Sequence, residues 1–263
     1  MEYIYLYLLS PLHTGGTTQE GNLLGIARES HTNLPYIPSS TVRGKVRSLA
    51  TDKNTKYQLF GNDLEDGQLE QGDIWIGDAS ILWLPVPSLS HSVVWVSCPL
   101  LLQRWQRLQG GKLSIPPEYS CNFNNNAAVY LKDAIINSAQ LQPWQNSKEF
   151  VPKSSATDSI KRLLVLPDKH CATLIQMSLW RQVKIKLDEH KSVNGGFRYE
   201  EAIPPDTLMY LPWGITSQAN GKSQKSYDDL KNLLAANEIL QIGGQESLGR
   251  GFVQQWMSTS QEN

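Results

Sequence analysis

The order in which strand-like and helix-like segments follow one another constrains this chain most. Residues 2–9 (EYIYLYLL) alternate, with Tyr3, Tyr5 and Tyr7 on one side and Ile4, Leu6 and Leu8 on the other. That period of two predicts a strand with one aromatic and one aliphatic face. Residues 10–25 read as a long, polar, glycine-rich loop, and loops of this length inside compact domains are uncommon and often functional. Pro35 and Pro38 hold residues 33–40 extended. A helix is expected from Ser39 or Ser40, both good N-caps, through residue 50, burying Val42, Val46 and Leu49. Strands are expected over 74–84 and 92–96. A helix over 98–108 lies between Pro99 and the Gly110-Gly111 pair. Residues 110–162 read as a loop-rich insert.

Residues 172–187 are strand-like, with Val183, Ile185 and Leu187 alternating against Lys184 and Lys186. Asn194-Gly195-Gly196 offers turn chemistry before 197–200, which predicts a β-hairpin arm with a basic face near 181–200. A strand over 207–214, a helix over 226–240 capped by Ser226, and a last strand over 252–257 complete the order. No regular β-α-β alternation runs through it, so the expected class is α+β. The expected architecture is one domain with a ferredoxin-like, RRM-like core from 1–109 and 163–258, interrupted by the insert and the hairpin.

Composition removes several alternatives. With 40% hydrophobic and 19% charged residues the chain is too apolar to be disordered. No apolar run approaches the roughly 18–20 residues of a membrane helix. The N-terminus lacks a basic segment and a cleavage signal, so a cytoplasmic location and no membrane partner are expected. Cys98, Cys121 and Cys171 form no C-x-x-C, and the five histidines include no i, i+4 pair. No metal site and no cofactor motif are therefore expected. Net charge is -1, but Arg28, Arg43, Lys45 and Arg47 crowd one region, and Arg181, Lys184, Lys186 and Lys191 crowd another. Six acids between Asp63 and Asp78 stand apart. Such a distribution is either a basic stripe opposite an acidic patch or two solvated faces.

Two segments carry candidate chemistry. In Gly243-Gly244-Gln245-Glu246-Ser247-Leu248-Gly249-Arg250-Gly251, four glycines let backbone N–H groups approach a polyanion, and Arg250 adds a donor suited to phosphate. The same glycines also suit a tight loop that needs positive φ. In Ser39-Ser40-Thr41-Val42-Arg43-Gly44, a helix N-terminus points N–H groups at an anion beside hydroxyls and Arg43, or the serines simply cap. Arg43 and Arg47 share a face, so both can reach one anionic partner. Gly44 costs about 1 kcal/mol against Ala in a helix, which close approach of another backbone would justify. Neither segment is a P-loop or a Rossmann fingerprint.

These segments also carry a resemblance. Ser10-Pro11-Leu12-His13-Thr14-Gly15, Arg28 through Pro38, Ser40 through Gly44, Leu84 through Leu89, Trp95 through Pro99, Tyr199-Glu200-Glu201, Ile203 through Leu208 and Gln241 through Gly251 occur in that order. Together they resemble the RAMP superfamily of CRISPR proteins, and more closely the Cas-seven-type repeating backbone subunit of type III-B (Cmr) effector complexes. The resemblance implies stacking of copies along a CRISPR RNA, beside other subunits of the complex. It also implies a hairpin thumb, here near 181–200, that kinks the guide–target duplex. Arg28, Ser39, Ser40, Arg43, Lys45, Arg47, Lys184, Lys186, Gly243, Gly244, Gly249 and Arg250 would be the RNA-binding residues. Sequence would be read by base pairing with target RNA rather than by the protein.

One departure bears on activity. The family has an aspartate, required for cutting target RNA, a few residues before its I-x-R-E segment. Counting back from Ile26-Ala27-Arg28-Glu29, that position is Leu23. Leucine accepts no proton and holds no Mg²⁺ or Mn²⁺. Either the subunit binds RNA without cutting, or a loop shift brings in Glu20 or His13 and makes it a metal-dependent endoribonuclease that cuts target RNA at regular spacing, with Mg²⁺ or Mn²⁺ as the metal. A structural adaptor without RNA affinity is the third reading.

Overall fold

The computed structural model describes residues 2–20, 23–63, 70–111, 113–219 and 221–258. In chain order the elements are β1 (Glu2–Leu8), β2 (Gly15–Glu20), β3 (Leu23–Ile26), β4 (Tyr36–Ile37), α1 (Ser39–Leu49), α2 (Lys53–Phe60), β5 (Ile74–Ile76), β6 (Ala79–Ser88), β7 (Ser92–Ser97) and α3 (Pro99–Leu108). The insert holds the short strands β8 (Ser120–Cys121), β9 (Val129–Leu131), β10 (Ala134–Ile136) and β11 (Gln142–Pro143). Then come β12 (Leu163–Val165), α4 (Asp168–Ser178), β13 (Trp180–Leu187), β14 (Val193–Ala202), β15 (Leu208–Ile215), α5 (Ser223–Ala235), β16 (Ile239–Gln241) and β17 (Phe252–Met257). The class is mixed α+β, with one large sheet and few helices.

The large sheet runs β11-β8-β12-β7-β6-β15-β1-β17-β16. Most pairs are antiparallel, but β12 runs parallel to β7 and β11 parallel to β8. β1 lies between β15 and β17, and its alternation explains why both faces of the sheet are covered. Ile4, Leu6 and Leu8 enter an aliphatic core with Val42 and Val46 of α1, Leu59 of α2 and Leu230 and Leu234 of α5. Tyr3, Tyr5 and Tyr7 enter an aromatic core with Trp83, Trp95, Trp105, Tyr210 and the insert's Phe150. The insert is a wall of that core. The Phe150 carbonyl accepts from the buried Trp83 Nε1–H at 2.8 Å, a bond without which the indole donor would be stranded.

Four expectations about elements need correction, and one helix was not foreseen. Residues 10–25 are not one loop, because β2 and β3 pair with each other and β3 runs parallel to β14. Residues 172–178 are helical: Cys171, Leu174 and Ile175 bury one face of α4, a 3.6-residue period that the following strand obscured. A helix, α2, also follows residue 52, where the Asp52 carboxylate caps Thr55 N–H at 2.7 Å. Ser226 caps nothing. It is buried inside α5 and donates to Asp73 Oδ2 at 2.6 Å. The hairpin turn lies at 188–192, where Asp188 Oδ1 accepts from the His190 and Ser192 amides. Gly195 and Gly196 instead form a bulge within β14. The register passes from Ile185↔Phe197 to Leu187↔Val193, and both glycines have φ near +90°.

Candidate nucleic-acid interface

A second, four-stranded sheet in the order β13-β14-β3-β2 carries the candidate site. Its outer part is the β13–β14 hairpin, and residues 189–199 are exposed throughout. Period two divides the hairpin's side chains. Val183, Ile185, Leu187, Phe197 and Tyr199 share one face, and Gln182, Lys184, Arg198 and Glu200 share the other. The apolar face is between 42% and 51% exposed, which is unusual for so many large side chains in a row.

Two adjacent glutamates organise the hairpin's base. Glu200 is fully buried and binds Lys184 Nζ at 3.0 Å, the Arg198 guanidinium at 3.0 Å and Arg250 at 3.2 Å. Glu201, on the opposite face, binds Arg28 at 2.7 Å and Arg181 at 2.9 Å. Burial works against ionising Glu200. The hydrogen bond and charge of Lys184, with Arg198 and Arg250, outweigh it and hold the carboxyl below its ordinary range. Five cations on two carboxylates leave the base net positive. Arg181 and Arg198 keep more than half of their side-chain surface in solvent.

Beyond the base, Lys184, Ile185, Lys186, Gly195, Gly196, Phe197 and Arg198 line a cavity of about 400 Å³. It lies at the bulge, where Asn194, Gly195 and Gly196 stand opposite Lys186 alone. Among the described residues, no atom beyond the chain neighbours comes within 4 Å of where a Cβ would sit on either glycine. Among the described residues Lys186 has no acidic partner.

The other residues expected to bind RNA are placed differently. Ser39 N–H is taken by Asp78 Oδ1 at 2.6 Å, and neither Ser39 nor Ser40 caps α1, whose N-cap is Pro38. The anion at this helix start is the protein's own. Arg43 donates to the Ile74 and Phe60 carbonyls at 3.1 and 2.8 Å and lies over the Phe60 ring. Burial, with the charge of Arg47, pulls its guanidinium below the ordinary value. Arg47 donates to the Gly61 carbonyl and binds Asp63 at 2.8 Å. The shared face therefore faces loop carbonyls. Lys45 has no ion-pair partner among the described residues, and Gly44 beside it is exposed with nothing within 4 Å. Of the acidic stretch, Asp73 is buried against Ser226, the exposed Asp63 and Asp78 bind Arg47 and the Ser39 amide, and Glu70 is exposed, while Glu65 and Asp66 lie outside the described residues.

The glycine loop is a tight turn, and four of its nine amides bond within the protein. Gly244 N–H goes to the His13 carbonyl, Leu248 N–H to Gln245, Gly249 N–H to Glu246 and Gly251 N–H to Pro11. Gly251 is required for close approach, since a Cβ there would lie 2.0 Å from the Ile242 oxygen. Arg250 is buried against Glu200, Gln182, Gln245 and the Trp180 ring. It does not present its guanidinium to solvent. His13 is 5% exposed, and its Nδ1–H donates to the Glu201 carbonyl at 2.7 Å. Leu23 lies opposite Tyr199 of the hairpin. The Glu20 side chain lies outside the described part of β2. Sequence reasoning missed Arg198, Phe197, Glu200 and Glu201 as site residues. The available signal was the alternation that continues from Phe197 to Glu201.

A family model of the RAMP superfamily matches residues 5–254. The chain is 29% identical over 273 aligned residues to the CRISPR system Cmr endoribonuclease Cmr4 of Pyrococcus furiosus, covering 94% of this chain and 92% of that protein. Its fold is similar to the crystal structure of oligomeric Cmr4 from Pyrococcus furiosus. The TM-score is 0.72 at 26% identity, over 98% of this chain and 97% of that one. Similar in fold alone is a chain of the type III-B Cmr-beta complex in its apo state, with a TM-score of 0.78 at 20% identity, over 98% and 97% of the two chains. By its sequence across nearly its whole length, the chain belongs to the RAMP superfamily.

Proposed function

We propose that this chain is a CRISPR RNA-binding backbone subunit of a type III-B effector complex, and that it holds RNA without cutting it. The observation that carries the reading is the cavity at the hairpin's bulge, with Lys184, Lys186 and Arg198 around it and Phe197 in its wall. Glu200 orients two of these cations and offsets one charge, so the cavity remains positive toward a phosphate. Phe197 supplies a flat apolar face of the kind on which a base stacks. Phosphate contacts of this sort position RNA and leave sequence to base pairing.

In this reading the large sheet and its helices are the RRM-like core, and the hairpin is the thumb that kinks the guide–target duplex. Copies of the chain stack along the guide, with target RNA and other effector subunits as partners. The likeness to a crystal structure described as oligomeric Cmr4 supports the stacking.

The absence of cutting rests on Leu23. At the position of the family's catalytic aspartate its side chain offers no oxygen to a metal and no base to a 2′-hydroxyl. Among the described residues no three His, Cys, Asp or Glu side chains could hold a metal ion together. If cleavage occurs, Mg²⁺ or Mn²⁺ would have to be held with fewer protein ligands than that, together with RNA phosphates. One observation favours an active nuclease, namely that a similar protein is named an endoribonuclease. Glu20 or His13 would then be the substitute; the His13 ring is buried, and the Glu20 side chain lies outside the described residues.

The test is binding of labelled single-stranded RNA to the purified chain across a salt series. The reading predicts log affinity falling linearly with log salt. No binding at moderate salt overturns it and leaves the adaptor.

A further inference from the structure

We infer that Arg250 is a positioning residue: its buried guanidinium fixes the hairpin against the glycine loop and so sets where the hairpin's cations meet RNA. This rests on the RNA reading above and adds to it the part that aims the arm.

Geometry supports it in three steps. First, the hairpin beyond its base is exposed on both faces, so its direction is decided where it joins the body. Second, one side chain spans that junction. Arg250 reaches Gln182 of β13 at 2.8 Å and Glu200 of β14 at 3.2 Å, and these two residues are opposite each other in the register. The same guanidinium takes Gln245 from its own loop and lies 4.4 Å from the Trp180 ring centroid, where β13 begins. Third, the loop delivers the arginine inward. Gly249 and Gly251 on either side both have positive φ, and Gly251 leaves no room for a Cβ.

A phosphate ligand keeps its guanidinium accessible, whereas the Arg250 side chain is 4% exposed. A lysine would keep the charge but not the planar fork that serves Gln182, Glu200 and Gln245 while lying over an indole. Arg28 and Arg181 hold the other face through Glu201. Among the described residues, Arg250 alone joins both strands to the glycine loop through its side chain.

The experiment compares wild type with Arg250→Lys and Arg250→Met. It measures amide hydrogen exchange along the whole chain and RNA affinity across salt. The expected result is faster exchange over 181–199, unchanged protection in β1 and β15, and an affinity loss of at least about tenfold in both variants. The salt slope stays at its wild-type value, because a residue that touches no phosphate releases no counterion. A slope reduced by about one would make Arg250 a phosphate contact and overturn the inference. Equal loss of protection in β1 and β15 would make it merely structural and overturn it as well. So would unchanged exchange over 181–199. If wild type binds no RNA, the RNA reading fails separately, and the exchange pattern alone decides whether Arg250 holds the hairpin. Should Arg250→Met not fold, Trp180→Leu removes only the ring beside the guanidinium and is read the same way.

Discussion

Arg43 and Arg47 on α1, which the sequence spaces for a shared partner, and Arg198 and Lys186 on the hairpin are all cations, and the fold uses the two pairs in opposite ways. The helical pair turns inward to the carbonyls of Phe60, Gly61 and Ile74. It ties α1 to the end of α2 and the start of β5. The hairpin pair lines the exposed cavity at the bulge, with Arg198 oriented by a carboxylate behind it. A guanidinium satisfies neutral carbonyls and phosphate oxygens with the same donors, so spacing alone does not separate the two roles. What separates them is whether loop carbonyls lie within reach. That is decided by the path of residues 60–74, not by the helix.

The largest effect should come from breaking the inward pair. Arg43→Met leaves two carbonyls without their donor and should lower stability by about 2–3 kcal/mol in urea unfolding, with RNA affinity unchanged once folded. An affinity loss without a stability loss would return Arg43 to the interface.

Next in size is acid. The Glu200 carboxyl is held low in the folded chain, so its contribution is complete above the ordinary value of 4.5 and is lost as pH falls through the lower folded value. Hydrogen exchange should show the hairpin loosening in that acid window before α1 does. Glu200→Gln should flatten this pH dependence, and a hairpin indifferent to acid in the wild type would break the comparison.

Lys186→Ala should leave the unfolding midpoint in place. RNA affinity should weaken by roughly tenfold or less for every sequence tested, with a salt slope shallower by about one. A preserved slope would put the phosphate elsewhere on the hairpin.

The smallest effect belongs to Gly44. Ala there meets no atom of the described residues beyond its own helix backbone and should stabilise α1 by up to about 1 kcal/mol. If stability rises while RNA affinity falls, an RNA backbone approaches this helix after all and Lys45 joins the interface. If both are unaffected or only stability rises, α1 is architecture.

What could be read from the chain beforehand followed local periodicity. The two faces of β1, the Val42–Val46 stripe of α1, the start of α3 at Pro99 and the presence of a basic hairpin all rest on patterns within about ten residues. What escaped depended on distant partners. β2 and β3 looked like a polar loop because the strand that extends their sheet, β14, lies some 170 residues on. Arg250 looked like a phosphate ligand because nothing near it in sequence shows that Glu200 and Gln182 will enclose it. The roles of Glu200 and Glu201 were half visible. The alternation of the second strand places them on opposite faces, but their five cations come from four separate segments of the chain.

The central claim is that this RAMP chain holds RNA and does not cut it, because Leu23 stands where an acid would act. The direct measurement is cleavage of target RNA by the assembled complex with Mg²⁺ or Mn²⁺, beside the same complex carrying Leu23→Asp. The account predicts that wild type leaves bound target intact and that Leu23→Asp cuts it at regular spacing. Cutting by wild type that stops when His13 or Glu20 is replaced would contradict it.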